Sequence, residues 1–525
     1  MKEQIQKKLS DSKAARWTAL LIVSFTMMCG YFLTDVMSPL ENLLTTKGKI
    51  VYFADDTSMP ADSLIAKVKM FAVANSLSTP SLTEEKLQVG AEYQYMESVD
   101  GQTVVVNKKV NSIASGEGWN STEYGFFSGA YGFINVFLLM LFFGGLILDK
   151  MGIRFTGLMS SSLMVLGALI KWYALSHDFG EAVLWGMDMQ VLVASLGFAI
   201  FGVGAEITGI TVSKIIVKWF AGKELALAMG LQVAMARIGT ALALAVSLPV
   251  ARMIGNVAAP VLIGAIALCI GLVSYLVYCV LDRKEDAAVA AEHKEIGVSE
   301  EEGFKLSDLK LIFCSRGFWL ITLLCLMFYA GVFPFLKFAT KLMIFKYDVP
   351  ESFAGLIPAL LPFGTILLTP VFGSLYDRIG KGATLMLIGS VMLTVVHVLF
   401  ALPIMNYWWL AVLIMIVLGI AFSLVPSAMW PSVPKIIPMK QLGSAYAIIF
   451  YIQNIGLSMV PLLIGWVIND FATQYDKAGS VIGYNYSVPM AVFAVFGLCA
   501  IFVALLLRVE DHKKHYGLED ANIKK

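Results

Sequence analysis

Charge is scarce in this chain. Lys, Arg, Asp and Glu make up 15% of its 525 residues, against 58% apolar residues, and the mean hydropathy is +0.75. A soluble domain carries about 25% charged residues, so a soluble enzyme is excluded. Cysteine is sparse too: Cys29, Cys269, Cys279, Cys314, Cys325 and Cys499 all fall in or beside apolar runs. Neither a disulfide framework nor a metal-ligand spacing follows from them. No CxxC, HExxH or P-loop pattern occurs, and the five histidines are scattered, so the parts of an ATPase or a metalloenzyme are missing. Alternating strands of about ten residues, the mark of a membrane barrel, are missing as well. These absences lead us to expect no cofactor, no metal, no nucleic-acid partner and no enzymatic activity.

Long apolar runs are present instead. About 20 apolar residues in helix cross a bilayer, and twelve such runs can be drawn, at 16–38, 125–148, 155–176, 189–217, 224–250, 257–281, 317–341, 352–376, 383–402, 406–433, 441–468 and 488–508. The expected fold is an all-α polytopic membrane protein. Net charge is only +1, but its placement is informative. Lys2, Lys7, Lys8, Lys13 and Arg16 precede span one; Arg283, Lys284, Lys294, Lys305, Lys310 and Arg316 separate spans six and seven; Lys513, Lys514, Lys524 and Lys525 follow span twelve. The short loops 177–188 and 403–405 carry no Lys or Arg. Positive residues mark the cytoplasmic face, which puts both termini inside. The basic start and long first run do not fit a cleaved signal peptide.

The remaining segments divide the chain. Residues 1–281 form a first six-helix half, 282–315 a charged cytoplasmic linker with one short amphipathic helix near "LSDLKLIF", 316–510 a second half and 511–525 a cytoplasmic tail. Residues 41–124, between spans one and two, form a polar extracytoplasmic insert. "DSLIAKVKMFAVAN" (Asp62 to Asn75) begins with a capping aspartate and has helical apolar spacing. "EYQYMESVDGQTVVVNKKV" (Glu92 to Val110) reads as two strands joined at Asp100-Gly101, a strong hairpin signal. A small folded αβ insert is expected.

The chain also repeats itself. "GLILDKMGIR" (Gly145 to Arg154) recurs as "GSLYDRIGKG" (Gly373 to Gly382), and "KELALAMGLQVAMARIG" (Lys223 to Gly239) aligns with "KQLGSAYAIIFYIQNIG" (Lys440 to Gly456). Internal repeats of this kind build secondary transporters as two halves around a midplane site. Gly145, Asp149, Lys150, Gly152 and Arg154, with Gly373, Asp377, Arg378 and Gly380, then form paired gating motifs. Glycines permit a tight turn, and an aspartate can meet a neighbouring helix N-terminus. Such latches would hold the halves together when the cytoplasmic side is shut.

This paired loop motif, the twelve spans and the central linker resemble the major facilitator superfamily. "YGFINVFLLMLFFGGLILDKMGIR", "FGVGAE", "WFAGKELALAMGLQVAMARIG", "FYAGVFPF" and "MWPSVPKIIPMKQLGSAYAIIFYIQNIG" are similar to the branch containing lysosomal dipeptide transporters. The likeness covers all twelve spans and fails at 41–124, where that branch has a short loop. Such an insert suggests a bacterial member in the inner membrane. The resemblance implies transport by alternating access, with a zwitterionic dipeptide as substrate and the lipid bilayer as surroundings. An accessory subunit stays open.

Two charges inside the apolar runs carry the site reading. Arg237 lies about 13 residues, or roughly 20 Å at 1.5 Å per residue, from the cytoplasmic end of span five; Glu206 lies about 12 residues, roughly 18 Å, from Lys218. Both are near the midplane, where a charge costs about 2.5–3.5 kcal/mol on the lenient scale and usually faces a cavity. Their repeat counterparts are Asn454 and Ser423, so the fold does not need charges there. A structural clamp between spans four and five is one reading. A substrate site is favoured: a guanidinium fork suits a carboxylate, and a carboxylate suits an ammonium. The resemblance implies the same roles.

Tyr131 and Asn135 share a face of span two. Gln453, Asn454, Trp430 and Tyr329 could line the other half; for each of these six, ordinary interhelical bonding or packing is the alternative. Asp35 is a candidate proton site or outer gate, or a solvated helix end. Lys337 and Lys341 are expected to snorkel without a site role, and His397 to be a satisfied buried histidine. The function expected is transport of dipeptides or similar small zwitterions, as a uniporter or coupled to protons. An organic-anion or phosphate-ester exchanger, multidrug efflux and a non-transporting sensor are the alternatives.

Overall fold

A computed structural model describes residues 9–75, 82–99, 102–180, 182–220, 225–296, 309–403, 406–437, 442–475 and 481–521. Among them, eleven helices are long and apolar enough to cross a membrane. Span one is Lys13–Asp35, span four Met189–Phe220, span five Leu225–Ile254 and span six Ala258–Ile296. Spans seven to twelve are Arg316–Tyr347, Leu356–Ile379, Gly382–Ala401, Trp408–Ile436, Leu442–Val467 and Ser487–Lys514.

The twelfth apolar run, span two, is present in pieces. It runs as Ser121–Ala130, then Phe133–Phe137, then the first turns of Met140–Ser176, whose remainder is span three. Leu139 sits at φ 52° where the last piece begins, and Gly152 (φ 78°, ψ 173°) breaks the helix between spans two and three. The first break has a packing cause. A Cβ on Gly132 would lie 1.9 Å from Ser458 Oγ of span eleven, and one on Gly129 would lie 2.2 Å from the Ser458 carbonyl oxygen. Close approach of two backbones is the use of small residues between membrane helices.

Spans two and eleven form one seam between the halves, and spans five and eight the other. On the second seam, a Cβ on Gly355 would meet the Leu244 carbonyl oxygen at 2.1 Å. Span six does not end at 281 as expected from hydropathy; it continues through the Ala-, Glu- and Lys-rich segment to Ile296, because those residues favour helix without needing a membrane. The linker helix is Leu309–Cys314.

The insert is a folded αβ unit. Strands β1 (Lys47–Phe53), β2 (Ser58–Pro60), β3 (Glu92–Val99) and β4 (Gln102–Glu117) form an antiparallel sheet in the order β2-β1-β4-β3, with helix Ala61–Ala74 packed against it. The expected hairpin pairs Glu92 with Lys109 through to Val99 with Gln102; its turn, Asp100-Gly101, lies outside the described residues. Alternation along β1 gives the sheet two apolar faces. Val51 and Phe53 join Leu64, Tyr95 and Val110 in the insert's own core, whereas Ile50 and Tyr52 join the core of the bundle. Tyr52 lies against Arg252 at the end of span five, 4.1 Å from guanidinium carbon to ring centre. Burial, with the Glu351 carboxylate close by, holds its phenol well above the usual tyrosine range. The bundle thus has an insert end and a linker end.

Candidate functional site

Glu206 and Arg237 project from spans four and five toward the bundle interior, as their spacing predicts. Tyr131, at the first break of span two, donates its hydroxyl to Glu206 Oε1 at 2.9 Å. Glu206, Tyr131, Tyr31, Thr34 and Gly30 line a cavity of about 60 Å³. That space is far below the roughly 300–1,000 Å³ of a typical ligand pocket, so this conformation is closed around Glu206. From the second half, Asn454 stands beside the Glu206 carboxylate.

Arg237 is boxed by aromatic rings. Its guanidinium carbon lies 5.3 Å from the ring centres of Phe333 and Phe422, both in the second half, and 6.0 Å from that of Tyr31. Such faces attract a cation. Glu206 and Arg237 are not among the described ion pairs within 4.0 Å. Tyr31 stands within electrostatic reach of both. An acid and a base therefore stand in the bundle interior with no ion pair between them among the described residues.

The aromatic wall continues beyond Arg237. Tyr329 packs on Phe333 and Phe422 and accepts a hydrogen bond from Trp430 Nε1 at 3.1 Å; Trp430 stacks on Phe450. Gln453 is committed to Cys325, whose thiol approaches Oε1 at 3.4 Å. Asn454 donates to the Phe450 carbonyl at 3.0 Å, leaving its own oxygen without a hydrogen-bond partner. Asn135 is buried on span two, and neither amide atom has one. His397 is buried with Nε2 at 2.8 Å from the Gly331 carbonyl. Tyr31, Phe333 and Phe422 were not singled out from sequence; aromatic residues in apolar runs give no signal of which way they face.

At the insert end, the expectation for Lys337 and Lys341 is overturned. Both reach sideways into the first half instead of snorkelling. Lys337 pairs with Asp35 at 2.6 Å and donates to the Thr34 carbonyl at 2.8 Å. Lys341, fully buried, donates to Thr45 at 2.7 Å and lies 3.8 Å from Glu41. Asn42 donates to Glu351 across the same boundary at 2.5 Å, and Tyr124 to the Lys337 carbonyl at 2.7 Å. Asp35 is thus a closed inter-half contact, not a solvated helix end. Burial explains why: the Lys341 side chain is fully buried and that of Lys337 only 14% exposed, so each must find its partners inside the bundle.

The loop motifs sit at the linker end and are engaged differently. Gly152 supplies the positive φ of the two-to-three turn. Arg154 pairs with Asp286 at 2.8 Å and Asp282 at 3.4 Å on span six, and Lys218 holds the same two aspartates at 2.6 Å. Lys150 is exposed, and space around Gly145 and Gly373 is open; the side chain of Asp149 lies outside the described set. In the second copy, Asp377 is half-buried and Arg378 exposed. Here the tail folds back. Lys381 and Gly382 donate their amides to the Glu519 and Leu518 carbonyls at 2.9 and 2.8 Å. Glu519 Oε1 accepts the Thr384 amide at 2.9 Å. A carboxylate there satisfies an orphan donor and complements the helix dipole at the start of span nine.

Gly380 makes this docking possible. It has φ 73°, and a Cβ would lie 2.5 Å from Glu519 O and Asp520 C. Gly380→Ala should therefore release the tail, and exchange at the Gly382 and Thr384 amides should accelerate about tenfold or more (1.4 kcal/mol per tenfold). Unchanged exchange would show that the dock tolerates the methyl group.

Two pseudo-repeated bundles, a discontinuous helix at their seam and an unpaired acid and base inside describe a membrane transporter. The sequence profile of the Major Facilitator Superfamily matches residues 70–461 and 338–522, and the chain belongs to that superfamily. Two relatives are the lysosomal dipeptide transporters MFSD1 of Bos taurus and Homo sapiens, each 30% identical over 360 residues, 67% of this chain and 72% of theirs. The Danio rerio protein of that name is 29% identical over 73% of this chain and 77% of its own. The fold is shared with a point mutant of the nucleoside transporter NupG (TM-score 0.60, 14% identity, covering 93% of this chain and 99% of that one). A D-xylose-proton symporter is also similar (TM-score 0.57, 13% identity, 94% and 97%).

Proposed function

We propose that this protein carries dipeptides or similar small zwitterions across the membrane by alternating access, with the insert end outside and the linker end in the cytoplasm. The observation that carries this reading is the separation of Glu206 and Arg237. A free dipeptide presents an ammonium and a carboxylate about one peptide unit apart. Glu206, braced by Tyr131 beside a small cavity, is placed for the ammonium. Arg237, backed by rings but without an acidic partner among the described ion pairs, is placed for the carboxylate. The names of the MFSD1 relatives support the same substrate class. The aromatic wall of the second half would then face the substrate's side chains.

A ligand that binds only the folded state raises the melting temperature with occupancy. Purified protein should be stabilised by free dipeptides and much less by their N-acetylated or C-amidated forms, and proteoliposomes should take up the same dipeptides. Uptake with and without an imposed pH gradient separates proton coupling from uniport. Stabilisation by organic anions lacking an amine, with none by dipeptides, would defeat the proposal.

A further inference from the structure

Lys171, on span three, is fully buried, yet no carboxylate stands within 4.0 Å of it among the described ion pairs. Its ammonium donates to the Leu33 carbonyl at 2.9 Å. It lies 4.6 Å from the ring centre of Phe198, 5.8 Å from that of Phe201 and 6.0 Å from that of Phe127. A buried cation in a membrane helix is rare without a use.

Its position suggests the use. Span one ends on Leu33, Thr34 and Asp35, and two lysines grip these consecutive residues. Lys171, from the same half, takes the Leu33 carbonyl; Lys337, from the other half, takes the Thr34 carbonyl and the Asp35 carboxylate. Both ammonium groups lie against the Phe198 ring, with Lys337 at 6.0 Å from its centre. Lys171 lies in the electrostatic field of Lys337 and Asp35 together. Two cations thus attend one anion, and only one is paired with it.

We propose that Lys171 is the reserve counter-ion of Asp35. The proposal rests on the alternating-access reading for the existence of an insert-end-open state. When spans one and seven part, Lys337 leaves with its half. Until water fills the opening seam, Asp35 would be left buried without its partner at the end of span one, an unfavourable intermediate on the way to opening. Lys171 travels with Asp35 and is already held two residues away on span one, so a change of its rotamer moves the pair from Lys337 to Lys171. In the closed state the ring faces and the Leu33 carbonyl keep the spare ammonium solvated. The carboxylate is never without a cation, and the barrier to opening falls accordingly. Lys171 acts here as a positioning residue, not a substrate contact.

The test measures opening without substrate. Spin labels replace Trp185 and Tyr407, exposed residues in insert-end loops of opposite halves, with the exposed Cys269, Cys314 and Cys499 replaced. Wild type should show a short and a long distance. Lys171→Met should reduce the long population about tenfold, and Lys171→Arg should restore it. Lys171→Gln can still donate to Leu33 but carries no charge, and should behave like Lys171→Met. In an Asp35→Asn background there is no anion to hand over, so Lys171→Gln should change nothing further.

If Lys171→Gln keeps the wild-type distribution, or shifts it equally in both backgrounds, Lys171 is only an anchor and the hand-over is wrong. A wild type locked at one distance with and without dipeptide would instead overturn the alternating-access reading itself.

Discussion

Arg237→Lys is expected to leave a folded, monodisperse protein that binds dipeptides about 10- to 100-fold more weakly. A hydrogen bond to a charged group is worth about 1.5–3 kcal/mol, and lysine replaces the planar fork with a point charge that cannot bind a carboxylate bidentately. The aromatic box sharpens the effect. Phe333 and Phe422 offer their faces to a flat guanidinium, and an ammonium on a shorter reach would not fill the same slot. Substrate truncation isolates the contact. Amidating the carboxyl end should penalise wild type heavily but hardly affect Arg237→Gln, as judged from ligand-induced shifts in melting temperature. Equal penalties in both proteins would place the carboxylate elsewhere.

The second large effect concerns the opposite end of the substrate. Glu206→Gln keeps an oxygen for the Tyr131 hydroxyl but removes the charge, and dipeptide affinity should fall by about 10- to 100-fold, the range that losing one charge-assisted contact covers. N-acetylation of the substrate should weaken wild-type binding by a similar factor and weaken Glu206→Gln little more. Non-additivity of that kind identifies two partners of one contact. A different result would return the clamp to favour: Glu206→Gln and Arg237→Leu each unfolding the protein alone, with stability and transport restored when combined.

The spans, the insert and the two interior charges were legible because each depends on local composition. Apolar runs define membrane helices wherever they pack, and the Glu92 to Val110 alternation defines a hairpin by itself. What escaped depended on distant partners. Span two reads as one continuous run, because hydropathy cannot see that Gly129 and Gly132 are pressed against Ser458, more than three hundred positions later. Lys337 and Lys341 read as snorkelling cations, since nothing near them in sequence shows Asp35, Glu41 and Thr45 waiting in the other half. Lys171 is a different omission. A lone lysine in "GALIKWYAL" is as visible as Arg237 in its own run, and the same cost of a buried charge would have marked it.

The segment after span twelve is built into the second half: Leu518 and Glu519 hold the start of span nine. Span nine begins without a capping side chain of its own, since Lys381 at its N-cap has a left-handed backbone and makes no side-chain cap bond; Glu519 supplies the missing acceptor from more than a hundred residues away. A protease cut or an insertion between span twelve and Asp520 is therefore expected to disturb the second loop motif directly. Its consequences would be felt as altered movement of the second half, even with every membrane helix left intact.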